Sequence, residues 1–116
     1  IGSALAAGNA CILVARDAFP TPVLSLAEAI ATSDVPGGVV NILTGQRAEF
    51  AACAAEHHDV DSIVDASGDA SLGKVLQAGA AVNLKRVQTW PSADSITPYQ
   101  LLALTETKTT WHPVGG

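Results

Sequence analysis

Four short strand-like runs, at residues 10–15, 39–43, 60–64 and 84–89, alternate with stretches of helical pattern. Alternation at this spacing implies βαβ units, and so parallel strands joined by right-handed crossovers. The first run, Ala10-Cys11-Ile12-Leu13-Val14-Ala15, is apolar throughout, the pattern of a strand covered on both faces. The expected fold is therefore α/β: three layers, with a mainly parallel sheet of about four strands between helices.

Local signals mark the helix limits. A small-residue helix over 1–7 should stop at Gly8-Asn9, where glycine accepts a positive φ. Thr21 is expected to cap the next helix, with Pro22 in its first turn. Val23, Leu24, Leu26, Ala27 and Ile30 give that helix an apolar stripe, and it should end near Ser33-Asp34. Alanine content predicts a helix over 48–56, and a further helical pattern covers 69–80.

Beyond the fourth run the alternation ends. Residues 90–95 read as a turn-rich linker, a short helix is expected after Thr97-Pro98, and residues 107–112 suit an exposed strand. Such a strand at the end of a small domain often pairs with another sheet edge, either within a larger protein or in an identical subunit. The chain thus divides into a main domain (1–89), a linker with a short helix (90–106) and a terminal strand or tail (107–116).

The 116 residues carry a formal net charge of −5. A protein that grips a phosphate backbone needs a basic face, so nucleic acid is not an expected partner. No apolar run approaches the ~20 residues needed to cross a bilayer, so no membrane partner is expected either. Ile1-Gly2-Ser3-Ala4-Leu5 offers neither an initiator Met nor a charged leader, and the chain is expected to belong to something longer. Cys11 and Cys53 match no zinc or redox spacing. Both are expected to be small buried hydrophobes in a cytoplasmic protein.

The passage that brings ligand chemistry into question is Ile63-Val64-Asp65-Ala66-Ser67-Gly68-Asp69-Ala70-Ser71-Leu72-Gly73-Lys74, a strand, a small-residue turn and a helix start. In open α/β sheets ligands collect at such junctions, because free helix N–H groups and the helix dipole favour an anion. Gly68 to Val75 nearly spells a phosphate-binding P-loop, but Val75 has no hydroxyl for Mg²⁺ and Asp69 places a carboxylate inside the loop. A glycine turn capped by Asp69 is the better reading. His57-His58-Asp59 has no third ligand at a useful spacing, so these are expected to be solvated helix-end residues and not a metal site.

The order of several short motifs resembles the coenzyme domain of the aldehyde dehydrogenase superfamily. They are Ala6-Ala7-Gly8-Asn9, Pro36-Gly37-Gly38-Val39-Val40-Asn41 leading to Thr44-Gly45, His58-Asp59-Val60-Asp61, and Asn83-Leu84-Lys85-Arg86-Val87. The resemblance covers about residues 1 to 87 and implies a Rossmann-like domain that binds NAD or NADP. It further implies hydride chemistry at a cysteine in a neighbouring domain.

Carried over residue by residue, the implied coenzyme contacts fall on altered positions. Where the family has Lys-Pro-Ser-Glu to hold the adenosine ribose, this chain has Arg16-Asp17-Ala18-Phe19. Arg16 can still donate hydrogen bonds, although its planar fork is not a lysine; Phe19 can accept none. Gln46-Arg47 puts a long side chain where the family keeps the adenine region open. The family's Gly-Ser-Thr-Glu-Val-Gly turn, which faces the pyrophosphate, matches Gly68-Asp69-Ala70-Ser71-Leu72-Gly73, with one extra residue before Gly68.

The general-base motif Glu-Leu-Gly-Gly is replaced in register by Trp90-Pro91-Ser92-Ala93, and neither cysteine matches the nucleophile. No catalytic residue and no metal ligand are therefore expected. These losses resemble the degenerate second domain of the two-domain family 16 members. Two functions are expected from the resemblance. The first is a vestigial coenzyme domain with a structural or oligomerisation role that binds no cofactor itself. The alternative keeps coenzyme binding, with Arg16 on the ribose or a 2′-phosphate and the Gly68–Gly73 turn on the pyrophosphate. An independent small nucleotide-binding module is a third, weaker reading.

Overall fold

The structure is a computed structural model that describes residues 1–90 and 97–113. Its elements are, in chain order, α1 (Gly2–Ala6), β1 (Cys11–Val14), α2 (Thr21–Ala31), β2 (Val40–Leu43), α3 (Arg47–Glu56), β3 (Ser62–Asp65), α4 (Ala70–Ala80), β4 (Arg86–Thr89) and α5 (Pro98–Ala103). The alternation read from the sequence is present throughout, and the strand pairs are parallel. No helix among the described residues is long and apolar enough to cross a membrane.

The strands do not form one four-stranded sheet. β1 pairs with β2, aligning Cys11 with Val40 and Val14 with Leu43. β3 pairs with β4, aligning Ser62 with Arg86 and Asp65 with Thr89. The two ladders are separate sheets. Each contains strands joined by a single helix crossover, whereas joining β1 to β3 needs a contact between strands further apart in sequence. Apolar periodicity specifies that a strand exists and which way it faces, but not such distant pairing.

This division changes the burial expected for β1. Ile12 is 60% exposed, so the continuous apolar run is not covered on both faces. The tightest packing lies instead around β3 and β4, where Ala51 and Ala55 of α3 meet Leu76 of α4, with Ile63, Leu72 and Val87 against them. Gly79 makes this approach possible: a Cβ there would lie 2.5 Å from the Cβ of Ala55, which is fully buried. Ala51 and Ala55 share one helix face, so Cys53 points the other way and is exposed, while Cys11 is half-buried. The expectation of two buried thiols is corrected accordingly.

Several local signals also resolve differently. Gly8 ends α1 with φ +80, as its position suggests. Thr21 does not cap α2. Pro20 is the N-cap, already in helical conformation, and its carbonyl accepts from the amides of Val23 and Leu24 at 3.0 and 3.1 Å. α2 ends at Ala31, slightly before Ser33-Asp34, where Thr32 and Ser33 turn their hydroxyls back to donate to carbonyls of the last turn. Such back-bonding satisfies the helix end without a glycine.

At the other end of α3, Lys85 Nζ donates to the carbonyls of Ala54 and His57 at 2.9 and 2.6 Å, a cation placed on the negative end of the dipole. The short helix expected after Thr97-Pro98 is α5, and the Gln100 side chain accepts from Thr97 N–H at 3.0 Å. α5 packs on α1. Asn9 Nδ2 donates to Leu104 O at 2.9 Å, and the Arg86 guanidinium donates to Thr105 O. Residues 107–112 are exposed and join no ladder of this chain among the described residues. Residues 91–95 of the expected linker lie outside the described residues.

Candidate functional site

The carboxyl ends of β1, β2 and β3 and the first turns of α3 and α4 form the candidate site. An open cleft of about 1590 Å³ runs between β1 and β3 and reaches Arg16, Arg47, Asp65 and Ser67 at this end. Its chemistry is set by what the helix N-termini already hold.

At α4 the turn is built by polar side chains two residues apart. Asp65 is 6% exposed, and its Oδ1 accepts from Ser67 N–H at 2.9 Å. Ser67 Oγ accepts from Asp69 N–H at 3.0 Å. Gly68 supplies φ +72 between them, a left-handed conformation that costs glycine little. Asp69 is then the N-cap. Its Oδ1 accepts from Ser71 N–H at 2.8 Å, from Ser71 Oγ at 2.6 Å and from Leu72 N–H at 3.4 Å.

These donors stabilise the ionised form. The Ser71 hydroxyl, then the amides of Ser71 and Leu72, hold the Asp69 carboxyl below its ordinary value, and the Arg47 charge adds in the same direction. Asp69 thus stays an anion, seated on the amides that a helix start would otherwise offer to a ligand. Gly73 lies one turn on, where a Cβ would come within 3.4 Å of Asp65 Oδ2.

A second carboxylate closes α3. Asp17, in the loop after β1, accepts from Arg47 N–H at 3.2 Å and from Arg47 Nε at 3.1 Å through one oxygen. The first amide of α3 and the charge of Arg47 therefore share one partner. Beside them, Gly45 has φ +147, and the Phe50 ring stands 2.9 Å from the position a Cβ would take. An aromatic ring and an ion pair fill the start of α3.

Of the residues singled out from sequence, Arg47, Gly68, Asp69 and Gly73 fall around these two helix starts. Arg16 and Phe19 lie in the loop after β1, both exposed, Phe19 by 71%. Sequence reading passed over Asp17 and Phe50. Asp17 carried no local signal, since the helix start it serves lies thirty residues further along the chain. Phe50 carried none either, because its role depends on the path of Gly45.

Among the described residues, no group of three His, Cys, Asp or Glu side chains could hold a metal ion. His57 Nδ1 accepts from Asp59 N–H at 3.2 Å, a local turn contact at the end of α3.

The model of the aldehyde dehydrogenase family matches residues 1–92. The chain is 38% identical over 88 residues to the mitochondrial aldehyde dehydrogenase of Homo sapiens, covering 75% of this chain and 17% of that protein. It is 35% identical over 88 residues to an aldehyde dehydrogenase of Emericella nidulans, covering 75% of this chain and 18% of that protein. It is 33% identical over 87 residues to aldehyde dehydrogenase 9 of Polyandrocarpa misakiensis, covering 75% of this chain and 38% of that protein. The chain thus spans well under half the length of these relatives. No solved structure matches it.

Proposed function

Because this chain belongs to the aldehyde dehydrogenase family, we propose that it is a coenzyme-domain segment which has kept its framework and lost its dinucleotide site. The family's NAD(P) chemistry, aldehyde to carboxylic acid, then proceeds elsewhere in the parent protein. The observation that carries this reading is the Asp69 carboxylate on the amides of Ser71 and Leu72. A pyrophosphate there would have to displace a better-placed anion and then lie beside it. Repulsion between like charges and competition for the same donors act together. The residues present do not fit the group.

The start of α3, where the family resemblance places the adenine region, is likewise taken up by this chain's own groups: Asp17 holds Arg47, and the Phe50 ring lies against Gly45. In this reading the segment contributes packing and subunit contacts. The exposed stretch 107–112 adds to a sheet edge in the rest of the parent protein or in an identical subunit.

Calorimetric titration with NAD and with NADP tests the loss of binding. Absent or millimolar affinity is expected for both. Micromolar affinity for either would overturn the reading in favour of a working coenzyme domain, for which the exposed Arg16 and the retained Gly68 and Gly73 speak. In Asp69→Ser, with the carboxylate gone from the α4 amides, coenzyme affinity is expected to rise at least severalfold.

A further inference from the structure

No further inference is drawn: the strongest candidate, the cleft between the β1 and β3 edges left unpaired among the described residues, is a pair of open sheet edges, and nothing in the structure shows what covers it.

Discussion

One carboxylate oxygen of Asp17 receives both the backbone N–H and the side-chain Nε of Arg47, at 3.2 and 3.1 Å. The contact joins the loop after β1 to the first residue of α3, thirty residues further along the chain. It is at once a helix cap and an ion pair.

Replacing Asp17 by Ala should therefore cost more than an ordinary surface ion pair, because an amide loses its acceptor too. A cap is worth about 1 kcal/mol and an exposed pair about 0–1 kcal/mol, so a loss of about 1–2 kcal/mol is expected. Urea unfolding of the two proteins measures it. A change below about 0.3 kcal/mol would show that the contact contributes nothing.

Acid should reveal Asp69. Its pKa lies below the ordinary value of 3.8 in the folded state, so its contribution is present above that value and is lost as pH falls through the depressed one. Asp69→Asn keeps a capping oxygen but cannot ionise. The variant should lose less stability than the parent between pH 4 and the acid limit, read from unfolding midpoints. Parallel curves for the two proteins would contradict the assignment.

Gly79 should tolerate no side chain. Alanine would raise helix propensity by about 1 kcal/mol. The added methyl would nevertheless lie 2.5 Å from the Ala55 Cβ, where backbone must move. Overpacking of this kind costs about 1–3 kcal/mol, so Gly79→Ala should be destabilised overall. Gly2→Ala, at the first position of α1, where a Cβ meets nothing within 4 Å, is the control and should be neutral or stabilised by up to about 1 kcal/mol. Equal behaviour of the two variants would refute the close α3–α4 approach.

The exposed stretch 107–112 gives a separate test of the structural role. Removal of residues 107–116 should lower the mass measured in solution by light scattering while leaving the helical circular dichroism of the main domain in place. An unchanged mass would count against a strand that adds to another subunit.

Much of this was already written in short-range pattern. The nine elements among the described residues, the stop at Gly8 and the cap at Asp69 follow from residues a few positions apart. So does the family itself, since its motifs are local and ordered along the chain. The backbone preferences and hydrogen bonds behind them close within one turn or one strand. Thr21 shows the limit even at that range: Pro20, already helical, took the capping position from it.

What only the tertiary structure decided depends on groups distant in sequence. Asp17 meets Arg47, Lys85 reaches back to the end of α3, and Gly79 admits Ala55, each across a wide stretch of chain. The same holds for the sheet. Alternation specified four strands and the parallel direction within each pair, whereas which strand edges meet was decided only in the tertiary structure. A side chain's periodicity records the face it presents, but an edge's hydrogen bonds belong to every residue alike and leave no mark in composition.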